Sequence, residues 1–172
     1  MKERMTMRLA TIALLAACAT APAAAYDDVP DEIAGRASVI DGDTIEIRGV
    51  RIRIGGIDAP ESDQTCSRAE GVYLCGNLSA AHLDRLLAGR TVVCRGHDRS
   101  YDRIVAACTV AGVDVGSAQV SAGWALDYVR YSKGRYAAAE AEARRAKAGI
   151  WQGEFVEPEA WRRARKSERR SR

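Results

Sequence analysis

Three acids and two arginines stand where the chain has little folding use for them. Asp43 follows the turn pair Asp41-Gly42, Asp58 ends an alternating segment that starts at Val50, and Glu61 comes directly after Pro60. Arg53 precedes Asp58 on the same segment, and Arg103 opens a later β-branched segment just after Tyr101. Two unneutralised carboxylates held side by side repel, and a hard divalent cation relieves that cost. An all-oxygen set of two carboxylates, a main-chain carbonyl and waters suits Ca2+ better than a metal that seeks nitrogen or sulfur. A glutamate beside such an ion can take a proton from a water attacking phosphorus. Guanidinium groups, always charged and able to bond in pairs, match the extra negative charge of five-coordinate phosphorus. Together these residue types describe a metal-assisted phosphodiesterase site. Singly, each has a plainer use: Asp41 and Asp43 as turn residues bonding their own backbone, the glutamate and arginines as solvated surface. The Asp41-Gly42-Asp43 start is not an EF-hand loop, because Ile45 and Ile52 stand where further ligands belong.

The elements that must position these residues are legible from periodicity. Residues 37–40, 44–48 and 50–54 are short β-rich segments separated by Asp41-Gly42 and Arg48-Gly49, which predicts three antiparallel strands in a meander. Such a meander brings Asp43 and Asp58 toward one another. Gly55-Gly56 interrupts the third strand, as a bulge or a close backbone approach requires, and Pro60 ends it. Residues 77–88 show helical spacing closed by Gly89. Strands are expected at 91–96, 103–110 and 113–115, a short helix at 117–122, and an alanine-rich helix at 136–148 capped by Gly149. The sum is an α+β chain, mainly β. It fits a five-stranded OB-fold barrel with about three packed helices, and the same periodicities also fit an open α+β sheet.

Around this core the chain reads in four parts: an export signal at 1–25, a lead at 26–35, the folded domain at 36–155 and a basic tail at 156–172. The signal has a basic start, an apolar run from Leu9 to Ala17 and small residues ending at Ala25. Cleavage there predicts a periplasmic or secreted protein. Leu15-Ala16-Ala17-Cys18 also matches the pattern before a lipoprotein cysteine, which would instead leave a membrane anchor on Cys18. Of the remaining cysteines, Cys66 with Cys75 would close a short loop and Cys94 with Cys108 would join neighbouring strands. This is the preferred one of three pairings. Zinc is the weaker alternative, for want of a Cys-x-x-Cys spacing. Trp124, Trp151 and Trp161 are expected to pack helices. The formal charge of +3 conceals an acidic body and a tail, residues 162–172, with seven basic residues and one acid. Such a tail either holds phosphates or anionic lipid, or is a solvated end.

The joint pattern is more specific than its parts. Asp-Gly-Asp-Thr at 41–44, Arg-x4-Asp-Ala-Pro-Glu at 53–61, Tyr-x-Arg at 101–103 and Gly-Ile-Trp at 149–151 resemble the staphylococcal nuclease family over residues 36–153. The resemblance implies an OB-fold barrel and a Ca2+-dependent phosphodiesterase that cuts DNA and RNA, leaving 3′-phosphate ends. It implies Asp43, Asp58 and the carbonyl of Ala59 as metal ligands, Glu61 as general base, and Arg53 and Arg103 as phosphate-binding groups. Tyr101, Tyr128 and Tyr131 fall at or near the family's substrate-binding tyrosines. Some relatives have lost their acids and only bind nucleic acid; here all three acids are present, which favours an enzyme over a binding module. One departure is Asp102, where relatives usually have glycine. A positive φ there would cost about 1 kcal/mol, and its charge beside Arg103 would weaken phosphate binding.

Overall fold

The protein is described as a computed structural model over residues 31–171. The expected export signal, Cys18 and most of the lead lie outside these residues. The lead's last residues are nevertheless structured. Strand β1 (Glu32–Arg36) is followed by β2 (Ser38–Val39), β3 (Thr44–Ile47), β4 (Val50–Ile54) and β5 (Ile57–Asp58). A small hairpin, β6 (Cys66–Arg68) with β7 (Gly71–Tyr73), leads into helix α1 (Cys75–Leu87). Then come β8 (Thr91–Ser100), β9 (Arg103–Val110), β10 (Val113–Asp114), α2 (Val115–Ser121), β11 (Leu126–Asp127), α3 (Val129–Ser132) and α4 (Ala137–Arg145). A 3-10 turn at Gly149–Gln152 precedes the last helix, α5 (Pro158–Arg170).

Seven strands form one curled sheet in the order β1-β8-β9-β4-β3-β2, with β10 on β9. The β2-β3-β4 meander pairs antiparallel as the turn residues require. Strands β4 and β9 pair in parallel, Ile52 opposite Ile104 and Arg53 opposite Val105. That crossover is why Arg53 and Arg103 end up on adjacent strands despite lying far apart in sequence. The period-2 pattern of β9 buries Ile104, Ala106, Cys108 and Val110. These face Ile45, Ile47, Ile52 and Ile54 and the Leu83 and Leu87 stripe of α1 in one core. The result is a mainly β, α+β half-barrel of the OB kind.

Three helices fall where the periodicity places them, and five are seen among the described residues. The brief α3 and the α5 segment are the additions. The latter lies in the expected basic tail, where charge outweighs every apolar signal. Yet Pro158 in its first turn is a helix-start feature, and Trp161 is partly buried beneath it. Both disulfides join the expected partners: Cys94 faces Cys108 across β8 and β9, and Cys66 reaches Cys75. Cys66, Cys75 and Ile150 seed a second small core, on which Trp124, Trp151 and Phe155 pack. Among the described residues no helix is long and apolar enough to cross a membrane.

Candidate active site

Asp43 lies just before β3, Arg53 on β4 and Asp58 on the two-residue β5. Their meeting follows directly from the register, in which Thr44 pairs with Arg53. Arg53 Nη1 donates to Asp43 Oδ1 at 2.8 Å, and its Nη2 donates to Asp58 Oδ1 at 2.8 Å. Asp43 Oδ1 also accepts from Thr44 Oγ1 and its Oδ2 from the Ala59 amide, both at 3.0 Å. Asp41 is the turn residue, accepting from the Asp43 amide at 3.0 Å.

The ladder continues onto a residue the sequence did not single out. Arg162, on α5, donates from Nη1 to Glu61 Oε1 at 2.8 Å and from Nη2 to Asp58 Oδ2 at 3.0 Å. Its Nη1 also lies 2.9 Å from Asp58 Oδ1. Acid and arginine therefore alternate, Asp43–Arg53–Asp58–Arg162–Glu61. Three carboxyls meet two guanidiniums, mostly out of solvent, so the arginines offset two of the three negative charges.

The Glu61 loop is held by close packing. Gln64 is fully buried, and its Oε1 accepts from the Glu61 amide at 3.2 Å while its Nε2 donates to the Val156 carbonyl at 2.6 Å. Gly76, in the first turn of α1, packs so tightly that a Cβ there would lie 1.7 Å from the Glu61 carbonyl oxygen. The Cys66–Cys75 disulfide fixes the hairpin immediately beside it. On the other flank, Gln119 of α2 is buried, donating to the Gly42 carbonyl at 2.8 Å and touching His82. The Asp41–Asp43 turn is thus clamped from below.

Arg103 reaches Thr44, its Nη1 donating to Oγ1 at 3.2 Å. It shares with Arg53 a cleft of about 720 Å³ that Glu61, Tyr101, Tyr128 and Tyr131 also line. Tyr128 and Tyr131 meet edge to face, with centroids 4.9 Å apart. Tyr101 is 92% exposed at the cleft rim. The positive φ considered at Asp102 is absent. Positive φ falls on Tyr101 instead, at 60°. Asp102 pairs with Arg51 at 2.9 Å, and both side chains are exposed.

Burial pushes the Asp43 carboxyl up to about 7, with Arg53 only partly opposing it. The carboxylates of Asp58 and Glu61 raise the pKa of Arg162, against the opposing effect of its burial. Among the described residues, no group of three or more His, Cys, Asp or Glu stands ready to hold a metal ion as positioned. The reason is visible: the guanidiniums of Arg53 and Arg162 lie between the acids. The donor chemistry nonetheless fits a hard cation. Asp43, Asp58 and the Ala59 carbonyl offer only oxygen, and a buried carboxylate that resists ionisation is a place where positive charge is favourable.

Sequence reasoning missed Arg162, Gln64 and Gln119. A glutamine carries no chemistry of its own to mark it. Arg162 is one of seven basic residues in a run, and only the Glu157-Pro158 helix start hints that the run is docked.

Comparison with known proteins gives a consistent result. Residues 51–153 match the family described as "Staphylococcal nuclease homologue". The chain is 44% identical over 129 residues to "Succinoglycan biosynthesis protein ExoI" of Rhizobium meliloti (strain 1021), covering 72% of this chain and 67% of that protein. It is 35% identical over 132 residues to an "Uncharacterized endonuclease" of Escherichia coli, covering 72% of this chain and 80% of that one.

Proposed function

From the premise that this chain belongs to the staphylococcal nuclease family and is a nuclease, we propose that it is a Ca2+-dependent phosphodiesterase. It acts on DNA or RNA with little sequence preference and leaves 3′-phosphate ends. The observation that carries this reading is the convergence of Asp43, Asp58 and Glu61, bridged by Arg53 and Arg162, at a cleft that Glu61, Arg53 and Arg103 line.

Asp43, Asp58 and the Ala59 carbonyl would hold Ca2+, which when bound would supply Lewis acidity at a phosphoryl oxygen. The chain's own groups do the rest. Glu61 takes a proton from the attacking water; its loop, pinned by Gln64 and Gly76, keeps the carboxylate at the cleft edge. Arg53 and Arg103, on adjacent parallel strands, bond the phosphate oxygens as charge builds. Tyr128 and Tyr131 offer faces to bases, and Tyr101 stands by the phosphate path. The two disulfides support an exported protein, periplasmic or secreted, with a lipid anchor on Cys18 as the alternative. A purely binding module is disfavoured because none of the three acids is lost.

The test is incubation of the purified protein with DNA and with RNA, in Ca2+ and then in chelator, followed by analysis of the product ends. Degradation that stops on chelation and leaves 3′-phosphates is expected. Glu61→Gln and Arg103→Ala should each lower kcat by about 10²- to 10⁴-fold with the fold retained. Chelator-insensitive cleavage, or near wild-type rates in both variants, would defeat the mechanism.

A further inference from the structure

Helix α5 begins after the family-matched segment ends, so nothing in the comparisons assigns it a role. Its charge is extreme: six of its thirteen residues are Arg or Lys. A free basic tail would be unremarkable, but this one is docked against the active-site loop. Arg162 pairs with Glu61 and Asp58, Arg165 with Asp63 at 2.5 Å, and the segment leading into the helix is bonded by Gln64 at the Val156 carbonyl.

Docking in this way turns a second set of cations toward the substrate. Arg163 and Lys166, one turn apart, line the same cleft as Arg53, Arg103, Tyr128 and Tyr131. They are not consumed by the ladder. Lys166 has no acidic partner among the described residues, and Arg163 meets only Glu159, at 3.4 Å along an exposed helix face. The β4–β9 side of the cleft already carries Arg53 and Arg103. A strand lying in it therefore meets cations from α5 as well as from β4 and β9, together with the aromatic rings of Tyr128 and Tyr131.

We propose that α5 is the second wall of the nucleic-acid cleft, with Arg163 and Lys166 binding backbone phosphates of the strand that flank the scissile one. Arg162 and Arg165 act as the anchors that set the helix at the cleft rim. This rests on the cleft being the nucleic-acid site of the proposed function. It adds a phosphate-binding surface supplied by the chain beyond the nuclease fold. The alternative occupant of a polybasic helix, an anionic lipid surface, is less favoured because Arg163 and Lys166 face the concave cleft with the tyrosines.

The test uses the full chain and the double variant Arg163→Gln/Lys166→Gln, with thermal melting to confirm an unchanged fold. Binding of a labelled single-stranded oligonucleotide is measured by anisotropy in chelator, across a salt series. The variant should bind about tenfold more weakly, and its log Kd against log salt slope should fall by about 1.4, two single-strand phosphate contacts at ~0.7 each. Unchanged affinity and slope would overturn the proposal. So would unchanged oligonucleotide binding with loss of binding to phosphatidylserine-containing vesicles, which would make α5 a membrane element instead. Hydrolysis of a minimal phosphodiester, bis(p-nitrophenyl) phosphate, is run in parallel with Ca2+. Wild-type inactivity there counts against the proposed chemistry and leaves the binding result to stand alone.

Discussion

At the scale of single residues, Arg162 is the most consequential side chain outside the recognised motif. Under the proposed function it would compete with a divalent cation for the same Asp58 oxygens. Arg162→Gln keeps most of the packing but removes the charge, so the acids gain appetite for an ion. The expected result is about a tenfold tighter Ca2+ affinity by calorimetry, a change of ~1.4 kcal/mol. In chelator the melting point should drop, since a largely buried carboxylate loses its partner. Equal Ca2+ affinity in variant and wild type would show that the guanidinium does not contest the site. Asp43, Arg53, Asp58 and Glu61 were legible because they lie within 19 residues of one another, where strand register converts spacing into position. Arg162 was not, because its contacts span about a hundred residues and no local pattern encodes them.

Among the elements, the hairpin β6–β7 and the start of α1 decide how firmly Glu61 is held. The disulfide between Cys66 and Cys75 spans nine residues, and the loop it closes abuts the Gly76 contact with the Glu61 carbonyl. Replacing both cysteines with serine should lower unfolding free energy by about 2–3 kcal/mol in urea titrations. It should also reduce kcat about tenfold, as Glu61 loses its fixed position. Full activity in the double-serine variant would show that Gln64 and Gly76 suffice. The strands at 50–54 and 103–110 and the three longer predicted helices were readable from alternation, caps and glycine stops. Strand β1 was not: Glu32–Arg36 has too few apolar residues to announce itself, and it is drawn into the sheet by its partner β8, with Ile33 opposite Cys94. Helix α5 was hidden by the same charge that gives it a role.

For the whole molecule, the buried acid couples the site to global stability. Asp43 has its carboxyl pushed from 3.8 to about 7, by burial first, with Asp41 and Asp58 adding repulsion and Arg53 opposing. The folded chain therefore holds a proton that the unfolded chain has already released across that interval. Its contribution to stability is present at low pH and is lost as pH rises from about 4 through 7. In chelator, the wild type minus Asp43→Asn difference in urea midpoint should decline between pH 4.5 and 7.5. A flat difference would show that Arg53 keeps Asp43 ionised throughout. Class was legible at this scale because the β-branched meander and the helical spacings mark an α+β chain, but the choice of a curled sheet over an open one came only with the family resemblance, since no local pattern encodes the parallel pairing of β4 with β9. The bipolar charge was legible too, but not its folding back onto the acids.

The sulfur knot beside Glu61 reaches further than the loop it braces. Wherever thiols are kept reduced, as around a cell's own genome, that knot would stay untied and Gln64 and Gly76 alone would hold the glutamate. If they do not suffice, a nuclease of this build would work at full rate only where the surroundings oxidise it.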